Sequence, residues 1–283
     1  MRRSITGIDH AIVLVRDLDA ARDGYGRLGF TVAPRGMHPS EHGTANHTVM
    51  LEREYLELLG VVTPTTINAH WRSALAHGEG LAALALQTPS ADAVVAEMAG
   101  AGVAVEPPVD FARPVVLPDG TRTQAAFRTA QFPKGAAPGF HLFCCEHRTR
   151  HVTWRPELLR HANGAVALDE VLAASEAPAA AAAQLGILFA TAPASERDGS
   201  FVVDTGNCTI RFATARCHAE RFAPADLSEL RDPALIGMTL RTSSIAAAAA
   251  ALARGGVRHA RTSAGIAVAP RDGCGVLLVF HEA

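Results

Sequence analysis

Residues 7–15 read Gly7-Ile8-Asp9-His10-Ala11-Ile12-Val13-Leu14-Val15, a run of apolar and largely β-branched residues that carries one histidine. Such a run predicts a buried β-strand. Alternation along the strand places His10 on the same face as Ile8 and Ile12. A polar ring is costly to bury alone among apolar side chains, so we expect His10 to have a specific partner.

A carboxylate stands in a second apolar segment, Tyr55-Leu56-Glu57-Leu58-Leu59-Gly60. Its length and composition predict another strand, with Glu57 facing one side. A divalent metal ion would pair with both His10 and Glu57. The alternatives are that His10 bonds to a neighbouring backbone group and that Glu57 pairs with an arginine such as Arg35 or Arg128.

The chain repeats one pattern four times, a strand followed by a helix and three further strands, with first strands that begin near residues 8, 81, 165 and 236. Asp17 and Ser90 are well placed to cap the helices of the first two modules. Gly206-Asn207 and Asp272-Gly273 predict hairpin turns in the last two. We interpret the Pro-rich stretch 106–118 as a loop over the cleft that paired modules would form.

The first strand, a helix ending in Leu28-Gly29-Phe30 and the return to Tyr55-Leu56-Glu57-Leu58 resemble the vicinal oxygen chelate superfamily. This superfamily includes glyoxalase I, extradiol dioxygenases and bleomycin-resistance proteins, and the chain more narrowly resembles its glyoxalase-like domain family. The resemblance implies an α+β fold in which two βαβββ modules wrap into a cup with the helices outside. Four modules then imply two cup-shaped domains, at 1–148 and 164–283, joined by a connecting segment at 149–163.

In that superfamily the metal ligands come from the first and fourth strands of each module. The resemblance therefore implies His10 and Glu57 from module one, and Ala83 and His141 from module two. Alanine cannot bind a metal, so the implied set is His10, Glu57 and His141, with open positions on a divalent Zn, Ni, Mn or Fe ion. The assignment of His141 depends on a strand register that a slip of one residue would destroy.

Three histidines, His38, His42 and His47, surround the short polar segment Gly43-Thr44-Ala45-Asn46. The segment has the composition of a substrate-contacting loop. His47 leads a strand and is a candidate general base or substrate donor, and Glu57 is the other candidate base. A surface or capping role is the alternative for all three histidines.

The second pair of modules lacks such a ligand set. Its first-strand positions fall near Leu168 and Thr239, and its fourth-strand positions near Ile210 or Arg211 and near Leu277 or Leu278. We expect this half to support the fold, cap the first cleft or mediate dimerisation. Because superfamily members pair modules across chains, a homodimer is one expectation.

Composition excludes several classes of partner. The formal net charge of -2 and the 5% aromatic content disfavour nucleic-acid binding, and the sequence has no apolar run long enough to span a membrane. An odd number of cysteines without a CxxC pair suits a reducing cytoplasm better than a disulfide framework, the five being Cys144, Cys145, Cys208, Cys217 and Cys274.

Three functions remain open. The first is a metal-dependent enzyme of the glyoxalase type that acts on a small oxygen-rich molecule, with isomerase or lyase chemistry through a metal-stabilised enolate. Ala83 disfavours ring cleavage, because extradiol dioxygenases usually draw two histidines from the first strands. The second function is a metal-free small-molecule binding protein of the bleomycin-resistance type, and the third is a scaffold with a degenerate cleft. No motif indicates a thiol cofactor.

Overall fold

The computed structural model describes residues 4–227 and 234–282 and contains two eight-stranded sheets in this part of the chain. The first sheet has the strand order β2-β3-β4-β1-β5-β8-β7-β6. Its strands are β1 (Gly7–Val15), β2 (Gly36–Met37), β3 (Thr44–Met50), β4 (Tyr55–Val61), β5 (Gly80–Gln87), β6 (Val109–Val116), β7 (Arg122–Gln131) and β8 (His141–His147).

The second sheet repeats this order as β10-β11-β12-β9-β13-β16-β15-β14. Its strands are β9 (Ala165–Ala174), β10 (Ala194–Ser195), β11 (Phe201–Asp204), β12 (Thr209–Ala213), β13 (Ala234–Thr242), β14 (Ala260–Thr262), β15 (Gly265–Val268) and β16 (Leu277–His281). In each sheet the two first strands of the modules pair antiparallel at the centre. The α+β fold of four βαβββ modules in two cups is therefore confirmed.

Seven α-helices accompany the sheets within the described ranges: α1 (Leu18–Arg27), α2 (Ala69–His77), α3 (Ala91–Gly100), α4 (Arg150–Thr153), α5 (Pro178–Phe189), α6 (Ala215–Arg221) and α7 (Ile245–Arg254). The predicted caps are present. Asp17 accepts hydrogen bonds from the backbone of Asp19 and Ala20, and Ser90 accepts one from Ala93. No helix in the described part of the chain is both long and apolar enough to cross a bilayer.

The Pro-rich stretch differs from its interpretation as a loop, because residues 109–116 form β6 and pair with residues 122–129 of β7. Pro114 fits there because β6 is the last strand of the sheet, where a missing N–H breaks no ladder. The sheet curls so far that β6 approaches β2 at its other edge. A Cβ atom built on Gly36 would lie 2.7 Å from Nη1 of Arg113. The first sheet is thus nearly closed around its concave face.

The convex faces of both sheets and their helices share one hydrophobic core. Tyr25 and Phe30 belong to the same cluster of buried side chains as Phe189 and Phe280. The rings of Phe30 and Phe280 lie 5.8 Å apart, and helix α1 packs beside α7. The two concave faces consequently open away from this common core.

The second concave face is filled by its own chain. Phe222 and Leu227, which follow α6, form a separate apolar cluster with Leu172, Ile236, Leu277 and Val279. Phe222 is fully buried in this position. Among residues 4–227 and 234–282 no segment fills the first concave face in this way, and this face forms a large cleft.

Candidate active site

The cleft of the first sheet has a volume of about 2220 Å³ and is lined from β1, β3, β4, β6 and β8. His10 and Glu57 both face it. Its mouth also takes residues from the second half, among them Ile236 and Arg271. The strand faces predicted for His10 and Glu57 agree with this arrangement.

His10 is 3% exposed and is oriented by the residue that precedes it in the chain. Nδ1 of His10 lies 2.7 Å from Oδ1 of Asp9, which is fully buried. Neighbours on a regular strand point to opposite faces, but the ladder with β5 is irregular between Ile8 and His10, and this bulge lets the two side chains meet. Because an ionised carboxylate only accepts, Nδ1 of His10 donates to Asp9, which leaves Nε2 directed at Glu57 in the cleft.

Asp9 is held ionised from two sides. Nε2 of His147 donates to the same Oδ1 atom at 3.0 Å. Burial by itself raises the pKa of Asp9, but His147 and His10 outweigh that effect and lower the pKa to about 2. Neither Asp9 nor His147 was selected as a functional residue from the sequence, so this support for His10 was not predicted.

Glu57 is 6% exposed, and its Oε2 atom lies 3.4 Å from Nε2 of His10. Asn46 donates from Nδ2 to Oε1 of Glu57 at 2.6 Å, which fixes the carboxylate. The arginines considered as partners of Glu57 bind elsewhere. Arg35 pairs with Asp19 at 2.9 Å, and Arg128 pairs with two other aspartates.

His38 approaches the other oxygen of Glu57 and was not selected as a ligand from the sequence. Its Nε2 lies 3.6 Å from Oε1 of Glu57, and its Nδ1 bonds to the hydroxyl of Thr44 at 2.8 Å. Burial lowers the pKa of His38 to about 4, so the ring is neutral at neutral pH. His38 lies in the loop before β3, where the sequence has no periodicity from which the direction of its side chain could be predicted.

His141 lines the cleft away from this cluster. Its Nε2 bonds to Oε1 of Gln131 at 2.7 Å, and its ring packs edge-on against Trp71. Burial, with the charge of His70, lowers the pKa of His141 to about 4. Donor atoms of His10, Glu57 and His141 do not all approach within 4.8 Å of one another, and neither do those of His10, Glu57 and His38.

The strand register explains why His141 does not occupy the position in module two that Glu57 occupies in module one. Gly7 and Gly80 begin the two central strands with φ of 146° and 145°, which makes Ala83 the counterpart of His10. Tyr55 lies opposite His10 in the parallel pair of module one, and His141 lies opposite Ala83 in that of module two.

His141 is therefore the counterpart of Tyr55. The counterpart of Glu57 is Phe143, two residues further along the strand. The ring of Phe143 packs edge-on against His10 at 5.5 Å.

His47 lies on the opposite side of β3 from the cleft. Its neighbours Asn46 and Thr48 face the cleft, whereas His47 is buried and Nδ1 bonds to the carbonyl of Ala33 at 2.8 Å. This corrects the prediction of a general base at His47, because strand alternation turns the ring toward the convex face. The loop histidines His38 and His42 do line the cleft.

A second set of donors lies beside His10. Among residues 4–227 and 234–282, Asp9, His10 and Cys145 form the one group of three His, Cys, Asp or Glu donors that all lie within 4.8 Å. Asp9 already accepts from His10 and His147 there, and burial raises the pKa of the Cys145 thiol well above its usual range. This set is a competing position for a metal.

The second half has an ion pair where the first has His10 and Glu57. Thr209 lies opposite Glu170 as Tyr55 lies opposite His10, so Glu170 corresponds to His10 and Arg211 to Glu57. Nε of Arg211 lies 2.6 Å from Glu170. The first-strand ligand position, expected near Leu168, is thus at Glu170, two residues further on. The fourth-strand position is at Arg211, one of the two residues expected there.

Comparisons with known proteins agree with this architecture. The sequence profile described as "Glyoxalase-like domain" matches residues 8–189. No curated protein sequence matches the chain significantly.

Solved structures show the same fold at low sequence identity. A hypothetical protein from Staphylococcus aureus aligns with a TM-score of 0.70 and 13% identity over 98% of this chain and 99% of its own. A triple mutant of 4-hydroxymandelate synthase from Streptomyces coelicolor aligns at 0.60 and 13% identity, over 92% and 77%. A fusion of a xylose isomerase-like TIM barrel with 4-hydroxyphenylpyruvate dioxygenase aligns at 0.59 and 18% identity, over 99% of this chain and 49% of that protein.

Proposed function

This chain belongs to the glyoxalase-like domain family, and from that premise we propose that its cleft binds a divalent metal ion through His10, Glu57 and His38. The ion would serve an enzyme of the isomerase or lyase type that acts on a small molecule with two adjacent oxygen atoms. The competing set around Cys145 and the expected ligand His141 are alternatives that the experiment below separates.

The observation that carries the proposal is the close approach of His10 to Glu57 at the cleft surface. Nδ1 of His10 is engaged by Asp9, and Nε2 lies 3.4 Å from a carboxylate oxygen of Glu57. Two donors held about 2.1 Å from one tetrahedral ion lie roughly 3.4 Å apart, so this spacing suits two ligands of one cation. Nε2 of His38 lies 3.6 Å from Oε1 of Glu57, and Nδ2 of Asn46 bonds to both atoms, so a metal bound by His38 would displace this amide.

The donor set suits the chemistry. Two histidines and one carboxylate with open positions fit Fe(II), Mn(II), Ni(II) or Zn(II), and a bound ion would supply Lewis acidity toward substrate oxygens. The chain's own residues position the site: Asp9 fixes the tautomer of His10, and Asn46 holds the carboxylate of Glu57. Tyr55 stacks on the His10 ring at 4.3 Å and Phe143 packs edge-on to it at 5.5 Å, which limits the access of water.

The test is metal content by elemental mass spectrometry after reconstitution with each of the four ions. We expect near-stoichiometric binding by the wild type, and its loss in His10→Ala and Glu57→Gln. Glu170→Gln is the matched control, because Glu170 is the counterpart of His10 in the half that lacks the donor set. His38→Ala reports on the third ligand.

Two results would contradict the proposal. If Cys145→Ser loses the metal and Glu57→Gln keeps it, the ion binds at the buried set of Asp9, His10 and Cys145 instead. No metal with any of the four ions would remove the enzyme proposal and favour a small-molecule binding protein.

A further inference from the structure

Arg113 is a cleft residue that sequence reasoning did not single out. It lies on β6, the edge strand that curls toward β2, and lines the cleft. A Cβ atom on Gly36 would come within 2.7 Å of its Nη1 and 2.9 Å of its Cζ. The missing side chain at Gly36 is therefore what makes room for the guanidinium group at the seam of the sheet.

The guanidinium group of Arg113 has no hydrogen bond or ion pair with any residue in 4–227 or 234–282. Arg211 and Arg221, also partly buried, both pair with Glu170 at 2.6 and 2.8 Å. A guanidinium group stays charged in proteins, so one that is largely out of water and unpaired is costly unless an anion joins it.

The charges around Arg113 do not supply that anion. Burial is the main cause that lowers the pKa of Arg113. Tyr55 and Glu57 oppose that effect, and the charge of Arg155 adds to it. Glu57 lies beyond 4.0 Å from Arg113 and is engaged by Asn46 and by two histidines. The neutral His38 and the nearby His42 add no negative charge on this side of the cleft.

Arg155 strengthens the positive character of the same wall. It lines the cleft from the connecting segment, and its side chain is 14% exposed. Its buried Nε atom forms an ion pair with the half-exposed Glu157 at 3.4 Å but makes no hydrogen bond. Two guanidinium groups thus face the cleft close enough for one to lower the pKa of the other.

The rest of this wall is apolar and aromatic. The rings of Phe111 and Phe127 stack at 5.0 Å beside Arg113 on β6 and β7, and both line the cleft. An occupant that satisfies both features has one anionic end and an apolar body.

We propose that Arg113, supported by Arg155, forms an anion subsite and that the ligand of the cleft is a carboxylate with an apolar body. The inference deepens the proposed function and rests on it for the location of the reacting oxygens, which lie toward His10 and Glu57. The bidentate geometry of a guanidinium group matches a carboxylate and would fix the ligand in one orientation.

The test is calorimetric titration of metal-free protein with phenylglyoxylate and with its neutral amide, phenylglyoxylamide. We expect the wild type to bind the acid at least about tenfold tighter than the amide, a difference of about 1.4 kcal/mol. Arg113→Met should abolish the preference. Arg16→Met is the matched control, because Arg16 also lines the cleft but bonds to the carbonyl of Leu75, and it should keep the preference.

A preference that survives Arg113→Met, or no binding of the acid by the wild type, would overturn the subsite. Thermal unfolding gives an independent measurement, since an unpaired guanidinium should leave Tm unchanged or raised when it is replaced. Arg113→Gln is measured beside Arg113→Met, so that poor packing of one replacement is recognised. A fall of more than about 5 °C in both variants, or failure of both to fold, would mean that Arg113 is held by the protein and would contradict the inference.

Failure of the proposed metal site can be distinguished from failure of the anion subsite, because these titrations contain no metal. An acid preference that depends on Arg113 in a protein that binds none of the four ions would leave the anion subsite standing alone. Metal bound at His10 and Glu57 with no effect of Arg113→Met would remove the anion subsite alone.

Discussion

Asp9 and Asp169 occupy the same place in the two halves of the chain: each is the residue that the central antiparallel ladder skips. The ladder passes from Ile8 to His10 in the first half and from Leu168 to Glu170 in the second. Each aspartate also pairs with a histidine on the strand that comes last in the chain order of its sheet. The distance is 3.0 Å for His147 on β8 and 2.8 Å for His281 on β16. The halves therefore share the bulge and its Asp–His pair but differ in the residue that follows.

Asp9→Asn tests whether the first bulge positions His10 for a ligand. The substitution removes the charge that fixes the proton on Nδ1, so we expect metal affinity to fall about 10- to 100-fold. Competition titration against a chelator measures this affinity. Asp169→Asn alters the equivalent bulge beside Glu170 and should leave the affinity unchanged. Equal affinities in both variants and the wild type would contradict a positioning role for Asp9.

Glu170→Ala tests whether the second half has a structural ion pair where the first has its candidate ligands. The substitution leaves Arg211 and Arg221 without their shared carboxylate in a buried position. We expect the free energy of unfolding to fall by about 3–5 kcal/mol, as measured by urea denaturation. Glu220→Ala, which breaks an exposed pair with Arg216, should cost less than about 1 kcal/mol. A loss below 1 kcal/mol for Glu170→Ala would mean that the pair is not structural.

The lowered pKa of His141 predicts how the stability of the protein depends on pH. Burial and the charge of His70 lower its pKa to about 4, from 6.5 in the unfolded chain. Between these values the unfolded state binds the extra proton, so stability falls as the pH drops from 6.5 to 4. We expect His141→Asn to reduce this loss by about 2 kcal/mol in urea unfolding at pH 7 and pH 4.5. The exposed His259→Asn is the control, and an equal pH dependence in all three proteins would count against the buried neutral ring.

The fold could be predicted largely from local patterns. Apolar strands, the helix caps at Asp17 and Ser90 and the fourfold repeat act over short stretches, and each indicates the same modules. The interpretation of residues 106–118 as a loop was wrong, because proline is acceptable on an edge strand and the sequence does not mark which strand is at the edge.

The site was less accessible to sequence reasoning, because it depends on register and on a bulge. His10 and Glu57 face one cleft as their strand patterns indicate. His141 was aligned two residues away from its structural counterpart, and period-two alternation cannot detect such an offset. The pairing of Asp9 with His10 contradicts regular alternation and so could not be predicted from it.

The common core has a consequence for recombination between related proteins. A Cβ atom on Gly29 would meet Cβ of Ala251 at 2.7 Å, and the amide of Asn207 bonds to both backbone groups of Ile8. A chimera that took one half from a relative would have to match these contacts across the whole convex face. Although the halves repeat one pattern of strands and helices, we expect them to be exchangeable between relatives only as a pair.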